Sequence, residues 1–161
     1  TNALRPASWT SGDAAGLPMF PALVRYDECQ RGAVEHALRL VVKRTRAEFI
    51  YPARHYASAP STTDPNVPAM GQRLRLKAGF NISDTWTGPE KAVLHALKKY
   101  GALGADNGGF FSISVTPDDR WPEDAFGHLS SIGIANFEVI QTAGPNEGPR
   151  APRAPGHPVV P

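Results

Sequence analysis

Three stretches of the chain gather side chains that could take part in chemistry: His36-Ala37-Leu38-Arg39, Arg54-His55-Tyr56 and Asp106-Asn107-Gly108. An imidazole titrates near neutral pH and can act as a general base, and a tyrosine hydroxyl can return a proton. A guanidinium fork meets a carboxylate through two parallel hydrogen bonds. These types fit elimination on an acidic sugar. Arg39 or Arg54 would neutralise the uronate carboxylate, His55 or His36 would take the C5 proton, and Tyr56 would donate one. Asp106 would anchor sugar hydroxyls.

Each of these residues also has a purely structural use. His36 reads equally as a hydrogen-bonded core histidine, and Arg54 as a partner for loop carbonyls beside a packed Tyr56. Asp106-Asn107-Gly108 is first of all a turn. Arg73, Arg75 and Lys77 alternate along one stretch and form a basic stripe. Such a stripe is either a solvated or guarded edge or a surface for acidic polymers. The acidic pair Asp27-Glu28 is read as solvated or paired with Arg25. The five histidines form no HxH or HExxH pair, and no Gly-x-Ser-x-Gly elbow is present, so neither a metal nor a cofactor is expected. The single cysteine, Cys29, rules out an internal disulfide and any CxxC motif.

Those side chains need strands and turns to place them. Val34 to Val42 alternates and reads as a strand with His36 on its apolar face and Arg39 opposite, although a helix from Asp27 competes for the same residues. Further strands are expected at Glu48 to Tyr51, Arg73 to Phe80, Ala102 to Ala105, Phe110 to Val115 and Phe137 to Gln141. The Asp106-Asn107-Gly108-Gly109 run predicts a hairpin between the third and fourth of these. A long proline-rich loop spans Ser58 to Met70. The clearest helix is Gly88 to Tyr100, with Thr87 and Glu90 as a capping box, Pro89 in the first turn and Gly101 as the stop. A short helix is expected near Glu123 to Ser130. The fold class that follows is α+β and strand-rich, with short antiparallel strands forming a sheet or sandwich and one well-capped helix packed on it. The chain divides into a lead-in over 1–21, a domain over 22–143 and a proline-rich extended tail over 144–161.

Bulk properties bound the function. A chain of 161 residues with 41% hydrophobic residues can bury one core. A formal net charge of +2 with 20% charged residues argues against a dedicated nucleic-acid binder. Apolar runs are all too short to span a bilayer.

Several stretches together resemble a family of secreted, mostly uncharacterised microbial proteins. They are Leu4-Arg5-Pro6 with Trp9-Thr10-Ser11, Ala14 to Pro18, Leu23 to Glu28, His36 to Arg39, and Pro52 to Ser58. Thr63 to Asn66, Met70-Gly71, Arg75 to Ala78, Ala96 to Gly101 and Ala105 to Gly108 complete the pattern. The likeness covers about Leu4 to Val139. It implies secretion and a further β-rich portion upstream in the same protein. The sequence departs from the family pattern at Cys29 and at Phe110-Phe111. The resemblance carries no mechanism.

Two functions are therefore expected as rivals. One is a secreted or periplasmic protein that binds or acts on an extracellular, acidic polysaccharide, as a lyase or hydrolase. The other is a non-catalytic accessory subunit of a secreted or periplasmic assembly, partnered by another protein chain and held by its lead-in and tail. Convergence of His36, Arg54, His55 and Tyr56 on one cleft would favour the first; dispersal would favour the second.

Overall fold

The computed structural model describes residues 12–57, 61–141 and 150–151. In chain order its elements are α1 (Tyr26–Gln30), β1 (Leu38–Val42), β2 (Thr45–Ile50), β3 (Ser61–Thr62), β4 (Ala69–Met70) and β5 (Arg73–Leu76). There follow α2 (Gly88–Lys99), β6 (Ala102–Asn107), β7 (Ser112–Ile113), β8 (Phe137–Ile140) and β9 (Arg150–Ala151), with 3-10 turns at Phe20–Ala22, Gly127–Ser131 and Ile134–Asn136. The fold is α+β with strands predominating. Among the described residues no helix is long and apolar enough to cross a membrane.

Local chemistry explains α2 almost completely. The Thr87 hydroxyl accepts from the Glu90 N–H at 3.2 Å, and the Glu90 carboxylate accepts from the Thr87 N–H at 2.9 Å. Pro89 lies in the first turn, and Lys98 and Lys99 in the last. The helix stops because Gly101 takes φ +71°, where its missing Cβ would otherwise lie 2.5 Å from the Leu74 carbonyl oxygen. Val93, Leu94 and Leu97 form the buried stripe of α2 and pack on Leu38, Leu40, Leu74 and Leu76 of the sheet.

The main sheet runs in the order β7-β1-β6-β5-β8. β1 and β6 are parallel, and every other pairing in this sheet is antiparallel. The sheet curls strongly. Phe111, beside one edge strand, and Phe137, in the other, bring their rings to 5.1 Å in an edge-to-face contact. On the face away from α2 lies a smaller cluster of Ala15, Leu17, Ala53, Tyr56, Met70 and Ala105. A second sheet is built on β2. Phe49 pairs with Met70 of β4 on one side and Ala151 of β9 on the other, and β3 joins at Thr45 and Arg46.

Several expectations are redrawn by the topology. Both readings of the stretch before Val42 hold in part, since α1 forms over Tyr26–Gln30 and the strand begins only at Leu38. His36 therefore precedes β1, in a bend, instead of lying on its apolar face. The Asp106-Asn107-Gly108-Gly109 run makes neither the expected turn at Asp106-Asn107, which are paired residues of β6, nor a hairpin. β6 is already flanked by β1 and β5 and has no free edge, so β7 crosses to the far side of β1, where Ile113 pairs with Leu40. β2 starts earlier than expected, β5 ends at Leu76, and the segment near Glu123 to Ser130 closes as the 3-10 turn Gly127–Ser131. The loop from Ser58 to Met70 carries β3 and β4, with 58–60 outside the described residues. Of the expected tail, only Arg150–Ala151 is described, and it pairs antiparallel with β2.

Gly101→Ala should destabilise the fold by roughly 2 kcal/mol or more, since it adds a Cβ in the left-handed region against a main-chain oxygen. Urea unfolding monitored by circular dichroism measures this, and a change below about 0.5 kcal/mol would contradict it.

Candidate functional site

Arg39 follows Leu38 and precedes Leu40, both of which face α2, so strand alternation sends its side chain to the opposite face. There its Nε donates to Asp13 Oδ2 at 3.2 Å, its Nη1 to Ser114 Oγ at 2.9 Å, and its Nη2 to Asp106 Oδ2 at 3.1 Å. Asp106 reaches Arg39 because the β1–β6 register slips by one residue. Leu40 pairs with Gly104 but Val41 with Asp106, so Ala105 is an extra, bulged residue. Asp13 is fully buried, and its other oxygen accepts from the Ala15 and Leu17 N–H groups at 3.2 and 3.0 Å. Burial raises the Asp13 pKa, while the Leu17 N–H and Arg39 pull it back. The Asp106 side chain, 35% exposed, is the network's opening to solvent.

His55 and Tyr56 lie under the same 13–17 segment. Both are buried, and among the described residues neither His55 ring nitrogen nor the Tyr56 hydroxyl has a hydrogen bond of acceptable geometry. Gly16, at φ +68°, packs on the imidazole, where a Cβ would lie 3.2 Å from Nε2. Burial lowers the His55 pKa, with the nearby Ala14 carbonyl and the Asp13 carboxylate opposing the shift. Arg54 does not share a face with Tyr56 as strand alternation would require. The segment after Pro52 is irregular, and Arg54 is exposed while its two successors are buried.

The other sequence-selected residues lie apart. The His36 Nδ1–H donates to the Ala37 carbonyl at 2.9 Å, which leaves Nε2 to accept from Arg25 at 3.2 Å. Glu28 Oε2 also lies 3.2 Å from Nε2. Arg25 in turn pairs with Glu28 at 2.7 Å. Each cation of the basic stripe makes a contact within the fold. Arg73 donates to the Tyr100 carbonyl at the end of α2, Arg75 pairs with Glu138 of β8, and Lys77 donates to the Ala135 carbonyl. Cys29 is buried, and that burial, with Glu28 beside it, pushes its thiol up to about 11. Among the described residues no group of three His, Cys, Asp or Glu side chains is placed to hold a metal ion.

Two features escape sequence reasoning. The first is the hook between Glu90 and His128. Glu90 is fully buried, and besides capping α2 it accepts from the His128 N–H at 2.7 Å and from His128 Nδ1 at 3.0 Å. Burial opposes its charge, but these hydrogen bonds, with that from Thr87, outweigh burial and hold its pKa below the usual value. The His128 ring stacks on Trp86 at 5.6 Å. The second is a cavity of about 320 Å³ between the curled sheet, α2 and the segment that His128 anchors, with Leu40, Leu94, Ile113, Phe126 and Phe137 in its wall. The capping box signals Glu90's local role, but nothing near His128 in sequence marks it as a second partner. Comparison with family profiles, curated proteins and solved structures finds no match to this chain.

Arg39→Met should cost about 3–5 kcal/mol, because it strands the Asp13 carboxylate without a cation. Urea unfolding of both proteins tests it; a loss below about 1 kcal/mol would remove the network from its central place.

The lowered His55 pKa also fixes a sign. The unfolded chain binds a proton near pH 6.5 that the folded chain resists, so stability falls as pH drops through that value. Asp13, with its raised pKa, contributes in the opposite direction in acid. His55→Gln should therefore lose less stability than the parent between about pH 7 and 5. Parallel slopes in thermal melts across this range would count against the assignment.

Proposed function

We propose that this chain is a binding module of a secreted or periplasmic assembly, and that it does not itself cleave a polysaccharide. The observation that carries this reading is the state of Arg39. Its Nε, Nη1 and Nη2 each already donate, to Asp13, Ser114 and Asp106. Of the two guanidinium groups that could neutralise a uronate carboxylate, that of Arg39 is thus occupied by two carboxylates of the protein itself, and Arg54 is exposed while His55 and Tyr56 next to it are buried. Elimination needs that charge free, since stabilising the carboxylate is what makes the C5 proton acidic.

The candidate bases give the same support. His36 is engaged by Ala37, Arg25 and Glu28, and His55 is buried beside Tyr56. A general base must come within hydrogen-bonding reach of the proton it removes. These groups are instead divided between the α1 side of the sheet and the cluster beneath the 13–17 segment. The stripe of Arg73, Arg75 and Lys77 would have been the surface for an acidic polymer, and its cations are held by carbonyl and carboxylate groups of the fold. The compartment is carried over from the sequence's resemblance to secreted proteins.

Incubation of the full chain with a panel of uronans should produce no rise in the absorbance of unsaturated sugars. A rise that disappears in Asp106→Asn, while that variant keeps the parent's circular dichroism, would return the chain to the lyases.

A further inference from the structure

The cavity beside α2 has no part in the polar network, and its lining is chemically uniform. A half-open hollow of about 320 Å³ is lined by Leu40 of β1, Leu94 and Leu97 of α2, Ile113 of β7, Phe126, and Phe137 of β8, with further apolar side chains around them. Among the described residues no charged side chain lines it, and its polar wall residues are Ser112 and Ser130, both exposed. This volume falls at the lower end of small-molecule sites, whose walls are mostly apolar with a few placed polar groups.

The cavity is a consequence of the way the sheet curls. Phe111 and Phe137 meet edge to face across the gap between its two edges, and α2 cannot fill the hollow behind them. The wall opposite is the segment from Phe126 to Ile132, held by the Glu90–His128 hook and the Trp86 stack. The hollow thus has a fixed frame. A preformed apolar site of this kind spends little on ordering when a ligand enters.

We propose that this cavity binds a neutral single-chain amphiphile of about ten heavy atoms, with its hydroxyl end at Ser112 and Ser130. Length follows from volume, at roughly 30 Å³ for each water-sized group. Neutrality follows from the wall, because a carboxylate or ammonium drawn inside would meet no counter-charge. The hydroxyl end follows from the serines at the rim, since the Ser130 hydroxyl, which donates to the Gly127 carbonyl at 3.0 Å, keeps lone pairs to accept, and a serine hydroxyl such as that of Ser112 can donate or accept. The proposal rests on reading the chain as a binding module and names what that module takes.

The test is a titration of the full chain with straight-chain alcohols from butan-1-ol to dodecan-1-ol, and with nonanoate. Binding is followed by calorimetry and by fluorescence of Trp121, whose ring lies 4.9 Å from that of Phe126. Affinity should rise about three- to fourfold per added methylene and level off near nine carbons, when the hollow is full. Nonan-1-ol should bind more tightly than nonanoate. Ile113→Phe, which fills the cavity, should weaken nonan-1-ol at least tenfold. Should that variant fail to fold, Ser112→Trp at the exposed rim should do the same by blocking entry.

Absence of nonan-1-ol binding to the parent overturns the proposal, as does an affinity that climbs without levelling off, which marks an open surface. Equal affinity in the parent and a folded cavity variant overturns it too. Sedimentation as a dimer without alcohol binding assigns the cavity to a second copy of the chain. None of these outcomes touches the uronan experiment, so failure of the ligand and failure of the binding-module reading are told apart.

Discussion

Arg39 leaves β1 on the face away from α2 and is almost wholly buried, yet it stays charged, as a guanidinium does in any protein. Taking such an ion out of water costs several kcal/mol even after relaxation, and the protein offsets this by bringing partners to every nitrogen. Those partners come from far along the chain. Asp13 is 26 residues away in sequence, Asp106 67 and Ser114 75. The fold around them therefore has to close in one way. Asp13 must cross the sheet face, which is why the Ala15 and Leu17 N–H groups turn onto its second oxygen. β6 must carry its bulge at Ala105, or Asp106 would point to the helix side. A pair of this kind adds little net stability, since desolvation cancels much of the Coulomb gain. Its effect is to penalise every arrangement that leaves one member alone.

The opposite side of the sheet is governed by a similar demand on a smaller scale. Glu90 is buried at the start of α2, where the N-terminal N–H groups of the helix favour a negative charge. Its capping role is local, but its remaining acceptor capacity reaches the main chain and ring of His128, and through them a segment that is not helical. Two carboxylates thus set the two faces. Asp13 fixes the lead-in on one, and Glu90 fixes the wall of the apolar hollow on the other. The hollow persists between them because curling the sheet brings Phe111 to Phe137 at its edges, with α2 alone behind.

This use of polar groups bears directly on function. Residue types that suggest acid–base chemistry on a polymer are the same types that satisfy buried carbonyls, cap helices and join strands. Arg73 closes the end of α2 at Tyr100, Arg75 ties β5 to β8, and His36 bridges the base of β1 to Glu28 of α1. The hollow beside α2 is apolar, and none of the candidate acid–base or cationic side chains is among the residues that line it.

How far this was legible in the sequence follows from the range of the interactions. α2 could be read almost residue by residue, because Thr87, Pro89, Glu90 and Gly101 act within a turn or two of one another. The strand-rich α+β class and the strand cores Leu38–Val42, Arg73–Leu76 and Phe137–Ile140 were visible for the same reason, since alternation is a local property. What tertiary structure decided was every pairing between segments. Asp106-Asn107-Gly108 reads locally as a turn, but β1 takes Asp106 and Asn107 into β6, and whether β7 returns beside β6 depends on which edges are already taken. Arg39 and Asp106 stood among the candidates, yet their contact, and the parts of Asp13 and Ser114 in it, depend on a one-residue slip that no local pattern encodes. The cavity is further still from the sequence: a hollow is space that side chains fail to fill, and that is settled only when all of its walls are in place.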